Sequence, residues 1–292
     1  MKFGIHAGPQ DIPMQDLIRL WKTADENGFH WVSVWDHFYA NPLRSREDPC
    51  FEAVSTMAGL AAHTRKVRVG CLVFCALFRS PGMLAKAAVT IDHLSGGRAE
   101  IGIGAGWYEE EFRDFGYGFP PLGQRLDQLE EALTIIRSLW RDEETNFKGR
   151  YYDLQGAVCA PKPVNPGMRI WIGGRGKSRT PRLAATYGDG YNLPYVSPET
   201  AAHRFAAMRR ECEKRGRDPA EVETSVNLGF YLGDRQPDVP ADGCITGSVQ
   251  QAVDRIGAYQ ELGVQGLNIA FRPPVDWDGL SLFVDEVMSA FR

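Results

Sequence analysis

Three features are missing from this 292-residue sequence: a long apolar run, a basic tract and a Cys-x-x-Cys pair. No stretch approaches the ~18 apolar residues of a transmembrane helix, and no apolar secretion segment follows Met1. The formal net charge is −4 without any cluster of lysine and arginine, which disfavours nucleic acid as a partner. These absences predict a soluble, cytoplasmic protein that binds neither membranes nor nucleic acid.

Sequence motifs for metal or nucleophilic catalysis are also missing. No Cys-x-x-Cys is present, so neither a zinc ribbon nor a thioredoxin-type pair is indicated. The sequence contains neither H-E-x-x-H nor G-x-S-x-G, and only His6 is present at the end of the first strand, where a metal-dependent barrel hydrolase carries His-x-His. We therefore predict no metal site, and we interpret the scattered cysteines as reduced core thiols: Cys50, Cys71, Cys75, Cys159, Cys212 and Cys244.

Strand-like and helix-like segments alternate along the chain. The predicted strands are Lys2–His6, Trp31–Trp35, Val67–Phe74, Ala99–Gly104, Arg169–Ile172, Gly190–Leu193, Glu223–Leu232 and Gly266–Phe271. The predicted helices are Asp16–Asn27, Phe51–His63, Gly82–Leu94, Gln124–Trp140, Pro181–Tyr187, Pro198–Arg215, Ser248–Leu262 and Leu280–Phe291. Eight such units predict one (β/α)8 TIM barrel over residues 1–292, with a doubly wound open sheet as the alternative fold. An irregular insertion at 141–167, with a small hairpin at 148–152, separates units four and five.

The fourth predicted strand ends in glycines at alternate positions, Gly102, Gly104 and Gly106. Alternate glycines strip side chains from one face of a strand, so a flat ring could approach the backbone there, although a plain tight turn has the same pattern. Trp107 follows at the mouth. The acidic run Glu109–Glu111 after it suits a helix N-terminus, and paired carboxylates for glycoside cleavage stay open as a less common explanation.

Two further strand ends carry chemically useful residues, because chemistry in such barrels gathers at the carboxyl ends of the strands. Asp36-His37 is the leading acid–base candidate, with the carboxylate orienting or charging the imidazole; a histidine that only hydrogen-bonds a loop is the alternative. His6 is interpreted as a pocket wall. The loop containing Gly173, Gly174, Arg175, Gly176, Lys177 and Arg179 predicts a phosphate site, with Thr180 as N-cap and Pro181 as first helical residue, or else a solvated basic turn.

Several of these segments together resemble the bacterial-luciferase-like superfamily of flavin and deazaflavin oxidoreductases. The resemblance covers almost the full length and looks most like the branch that uses coenzyme F420, a 5-deazaflavin. It implies a (β/α)8 barrel and commonly a homodimer. It is carried by Trp35-Asp36-His37-Phe38, Leu94-Ser95-Gly96-Gly97-Arg98, Gly102-Ile103-Gly104-Ala105-Gly106-Trp107, Glu111-Phe112, Ile172-Gly173-Gly174 and Gly188-Asp189-Gly190-Tyr191-Asn192.

The resemblance also implies roles for individual residues. Asp36 and His37 match the acid–histidine pair beside the deazaflavin, with His37 as proton donor or acceptor. The segment Cys71-Leu72-Val73 matches a bulged third strand behind the ring, with a non-proline cis peptide expected at Leu72–Val73. The cofactor wall matches Gly104, Ala105, Gly106 and Trp107. The phosphate contacts match Gly173 and Gly174, and we expect the adjoining Arg175 and Gly176 to contribute to the same site.

We therefore expect an F420-dependent oxidoreductase that moves a hydride between the deazaflavin C5 and a small alcohol, carbonyl compound or activated alkene. Trp107 stands where sugar-phosphate dehydrogenases of this family carry a carboxylate, which favours an apolar or aromatic substrate. Specificity is expected to come from the loops 38–48 and 116–123. An FMN-dependent monooxygenase using reduced flavin and O2 is one alternative, and a non-catalytic flavin-binding paralogue is another.

Overall fold

The structure is a computed structural model that describes residues 1–40, 45–233, 237 and 240–291. Within these residues the strands are β1 Lys2–Ala7, β2 Trp31–Val34, β3 Arg68–Cys75, β4 Ala99–Gly104, β5 Thr145–Lys148, β6 Asp153–Ala157, β7 Ile170–Gly173, β8 Gly190–Pro194, β9 Glu223–Leu232, β10 Cys244–Gly247 and β11 Gly266–Phe271. The α-helices there are α1 Met14–Glu26, α2 Ala53–His63, α3 Pro81–Ser95, α4 Glu109–Asp114, α5 Leu122–Arg141, α6 Arg179–Tyr187, α7 Pro198–Glu213, α8 Val249–Glu261 and α9 Trp277–Leu282.

Eight of the described strands close into a parallel barrel. Going around it, β1, β2, β3, β4, β7, β8, β9 and β11 pair in turn, and β11 pairs back onto β1. This confirms the predicted (β/α)8 fold. The insertion between the fourth and fifth barrel strands contains the antiparallel hairpin β5–β6, which spans 145–157 and so extends beyond the predicted 148–152 on both sides.

Helix boundaries follow from local capping chemistry. Ser80 accepts a hydrogen bond from the Met83 N–H and Pro81 occupies the first turn of α3, which ends at Gly96 in the left-handed conformation. At α8, Ser248 and Gln251 form a reciprocal capping box. None of the helices in the described ranges combines the length and the apolar character that a membrane span requires.

Three details of the predicted elements are wrong. The strand β10 was missed; it is four residues long and pairs with the far end of β9, outside the barrel. Helix α6 begins at Arg179 after Ser178, so Thr180 is inside the helix and does not cap it. The C-terminal segment begins earlier than Leu280, because Asp276 caps α9, and it continues as a π-helical turn and a 3-10 turn to Phe291.

The barrel interior is filled below its carboxyl end. Trp31 and Trp171 meet across it with ring centroids 5.0 Å apart, and both side chains are buried. At the amino-terminal ends of the strands, Glu100 pairs with Arg68 and Glu223 with Arg169. Because this end and the middle are occupied, ligands have access from the carboxyl ends of the strands.

Candidate active site

A histidine–carboxylate pair lies at the carboxyl end of the barrel. The Nδ1 atom of His37 lies 2.8 Å from Oε2 of Glu111, whose side chain is 1% exposed. The other carboxylate oxygen, Oε1, accepts the backbone N–H groups of Phe38 (2.7 Å) and Tyr39 (3.0 Å). Glu111 lies on α4, which follows β4, and it thus connects this helix to the loop that follows β2. The sequence motif contained Glu111, but its role was missed.

Asp36 has a different partner from the one expected. Its carboxylate receives two hydrogen bonds from Arg79, of 2.6 and 2.9 Å, and one of 2.8 Å from the Cys75 N–H. The prediction that Asp36 orients His37 is therefore wrong in this structure, because its hydrogen-bonding capacity is directed at β3 and the loop after it. Glu111 occupies the orienting position.

His6 is a buried, neutral member of the barrel interior. It is the next-to-last residue of β1. Its Nδ1 is 2.9 Å from the Ser33 hydroxyl, and its ring packs 4.9 Å from Trp35. Burial is the largest cause that lowers the pKa of His6 to about 3, assisted by the charges of Arg272 and His37. A neutral imidazole at physiological pH suits a pocket wall and does not suit a general acid.

The third strand has the expected irregularity. The Leu72–Val73 peptide is cis, and the pairing register between β3 and β4 shifts between Cys71 and Phe74. The Cys71 side chain is buried in the layer between barrel and helices, where desolvation raises its pKa. Cys71 therefore offers a ligand its backbone at most.

The glycines of the fourth strand make room for side chains of the neighbouring third strand and do not leave an open site for a ring. A Cβ atom on Gly104 would lie 2.9 Å from Cγ2 of Val73, and one on Gly102 would lie 3.0 Å from its Cγ1. A Cβ on Gly173 would also collide with Val73. The expectation that these glycines leave a bare floor is wrong, because the half-buried Val73 side chain fills the space. The bulge itself is the surface that faces the mouth.

The segment after β4 forms one rim of the mouth. Gly106 has a φ of +72°, and a Cβ there would meet the Phe112 ring and the Cys75 sulfur, so this turn requires glycine. Ala105 is partly buried against the core. Trp107 is 62% exposed, stacks on Tyr108 at 5.2 Å and meets the His37 ring edge-on at 5.7 Å.

The glycine-rich loop between β7 and α6 has fewer available cations than predicted. Arg179 is ion-paired with Asp127 at 2.6 Å and lies 3.6 Å from Glu130, both on α5. Arg175 and Lys177 are exposed. The Thr180 side chain packs against Gly174 and Gly176. The predicted phosphate contacts thus depend on Gly173, Gly174, Arg175 and Gly176 with Lys177.

An aromatic cluster supports the loops around the mouth, and sequence reasoning missed it. Phe38 stacks on Phe115 at 4.4 Å and contacts Phe78 at 4.6 Å. Phe112 and Tyr117 extend the cluster. The predicted specificity loops contribute to it, although residues 41–44 of the loop 38–48 lie outside the described residues.

The fold and the mouth together define a class of protein, a parallel (β/α)8 barrel with a bulged, cis-peptide third strand and a histidine at the end of the second. The chain belongs to the luciferase-like monooxygenase family, whose sequence model matches residues 1–242.

Similar proteins include several named for a deazaflavin. An F420-dependent glucose-6-phosphate dehydrogenase of Amycolatopsis mediterranei is 32% identical over 192 residues, 65% of this chain and 56% of that protein. One of Nakamurella multipartita is 29% identical over 234 residues, 78% of this chain and 67% of that protein. The chain thus spans a little over half of the first relative's length.

Solved structures share the fold at low identity. An F420-dependent secondary alcohol dehydrogenase in complex with an F420-acetone adduct superposes with a TM-score of 0.85 at 20% identity, over 99% of this chain and 98% of that one. The F420-dependent tetrahydromethanopterin reductase of Methanopyrus kandleri superposes with a TM-score of 0.86 at 18% identity, over 100% of this chain and 99% of that one. A monooxygenase of Streptomyces bottropensis superposes with a TM-score of 0.83 at 19% identity, over the full length of both chains.

Proposed function

We propose that this chain is a coenzyme F420-dependent oxidoreductase that transfers a hydride between the deazaflavin and a small alcohol, carbonyl compound or activated alkene. The observation that carries the proposal is the His37–Glu111 pair at the barrel mouth, at the end of the second strand and beside the bulged third strand, where a side chain able to transfer a proton is needed. Relatives named F420-dependent dehydrogenases support the choice of cofactor.

The residues present fit such a cofactor. The Val73 bulge would lie against a flat ring, and the exposed Arg175 and Lys177 beside Gly174 would hold a phosphate. When bound, the deazaflavin supplies a carbon that accepts or donates a hydride.

The protein side of the reaction is proton transfer and positioning. His37 would take the hydroxyl proton of an alcohol during oxidation and return it to the carbonyl oxygen during reduction. The barrel is filled beneath the mouth by Trp31 and Trp171, which limits water to the open side. The presence of His37 together with the buried carboxylate of Glu111 also argues against a non-catalytic paralogue.

A binding titration tests the cofactor. Purified protein is titrated with F420 and, separately, with FMN, and quenching of tryptophan fluorescence is followed. We expect micromolar affinity for F420 and much weaker FMN binding. The reverse preference would favour the reduced-FMN monooxygenase, binding of neither would overturn the assignment, and F420 binding without turnover of any alcohol, carbonyl compound or enone would favour the non-catalytic paralogue.

The rim favours an apolar or aromatic substrate. Trp107 presents most of its indole to solvent beside His37, and Phe115, which stacks on the neighbouring Phe38, is 49% exposed. Stacking on an indole contributes ~1 kcal/mol beyond area burial, about a fivefold change in affinity.

Replacing Trp107 should therefore weaken binding of aromatic substrates selectively. Trp107→Ala is expected to raise KM for an aromatic alcohol or enone about five- to tenfold and to change KM for a short aliphatic alcohol much less. Leu122→Ala, at a similarly exposed apolar side chain (56%), is the matched control. Preference for glucose 6-phosphate over all apolar substrates would contradict this substrate class.

The homodimer and the cytoplasmic location belong to the same proposal. Four exposed apolar side chains on α3 and on the segment after β6 support a subunit contact there: Met83, Leu94, Val158 and Val164.

A further inference from the structure

Glu111 uses both carboxylate oxygens, and each has a different kind of partner. Oε1 accepts two backbone N–H groups, those of Phe38 and Tyr39, and Oε2 faces Nδ1 of His37 at 2.8 Å. An ionised carboxylate only accepts hydrogen bonds. The neutral imidazole must therefore carry its proton on Nδ1 to make this contact.

We propose that Glu111 is the positioning residue of this site: it fixes His37 as the Nδ1–H tautomer, so that Nε2 is the nitrogen that takes up and returns the proton. The tautomer follows from the chain's own hydrogen bonds, whereas its use in turnover rests on the proposed function. In the oxidation direction Nε2 gains the hydroxyl proton, and the positive charge on the ring is then balanced by the buried carboxylate 2.8 Å away. In the reduction direction the same proton leaves Nε2.

The contacts of Oε1 also fix what a glutamine at this position would do. An amide NH2 group could not replace Oε1, because it would face two backbone N–H donors. The amide oxygen must stay there, and the NH2 group then faces Nδ1 of His37. That arrangement requires a lone pair on Nδ1, so the imidazole proton moves to Nε2. Glu111→Gln therefore reverses the tautomer with little change in side-chain shape.

The tautomer is measured without cofactor, by nitrogen NMR of protein carrying 15N-labelled histidine. Spectra are recorded at about pH 9, above the usual pKa of histidine, and the His37 signals are assigned from those lost in His37→Gln. We expect a protonated Nδ1 and an unprotonated Nε2 in the natural sequence, and the reverse in Glu111→Gln. An Nε2–H tautomer in the natural sequence would overturn the proposal even if the variant failed to fold.

Kinetics distinguish a positioning role from a merely structural one. With F420 bound, Glu111→Gln should lower kcat by about 10²-fold or more, while KM and the dissociation constant of F420 change little, because an imidazole in the wrong tautomer is present but cannot accept the proton. Glu109→Gln, at an exposed glutamate on the same helical turn, should behave like the natural sequence.

An unchanged tautomer or an unchanged kcat in Glu111→Gln would overturn the proposal. If the NMR spectra showed the expected His37 tautomers but the protein did not bind F420, only the cofactor assignment would be overturned.

Discussion

Replacing His37 with alanine should lower kcat by about 10²–10⁴-fold, the usual loss when an acid–base group is removed. The dissociation constant of F420 should change little, because His37 stands beside the proposed ring site and its side chain is directed at Glu111 and Trp107. Single-turnover kinetics with loaded enzyme, combined with the fluorescence titration, separate the two effects.

A suitable control for this variant is His203→Ala. The His203 side chain is 71% exposed on α7, so its loss should leave both constants unchanged. Turnover of His37→Ala at the level of the natural sequence would remove His37 from the mechanism.

A second large effect is expected at the buried ion pair beneath the mouth. Arg79→Met should lower the free energy of unfolding by about 3–5 kcal/mol, because it leaves the carboxylate of Asp36 buried without its cation. The Asp36 side chain is 2% exposed and the Arg79 side chain 14%, and two hydrogen bonds join them. Urea denaturation followed by circular dichroism measures the change.

The double variant Asp36→Asn, Arg79→Met provides the decisive comparison, since it removes the stranded charge and should recover part of the loss. Arg113→Met breaks an ion pair whose arginine is 63% exposed and should change stability by no more than about 1 kcal/mol. If the double variant were no more stable than Arg79→Met, the loss would not come from an uncompensated charge on Asp36.

The barrel could be predicted because its determinants are local and periodic. The predicted bounds of β4, β9 and β11 coincide with those observed, since in each of them large apolar side chains alternate with other residues. Strand β10 has only four residues, too few to establish a period, and its pairing depends on the unusual length of β9. Such a strand is defined by its neighbour and not by its own sequence.

The site was predicted less completely, because partners in it are distant in sequence. His37 and Glu111 are 74 residues apart, whereas Asp36 is adjacent to His37 and therefore attracted the orienting role. Asp36 bonds Arg79 and the Cys75 N–H, whereas His37 bonds Glu111, so adjacency in sequence favoured the wrong carboxylate. Arg179 was likewise assigned to a phosphate because its partner Asp127, 52 residues away, could not be seen from the motif.

The packing of Val73 makes substitutions around it interdependent. Gly104 and Gly173 come from two strands, and a methyl group on either of them would overlap the same valine. A larger residue at one of these glycines is tolerated only if position 73 shrinks in the same lineage, so these three positions should change together in evolution. Attempts to redesign specificity should leave this group intact and vary the rim, where Trp107 and Phe115 can be exchanged independently of it.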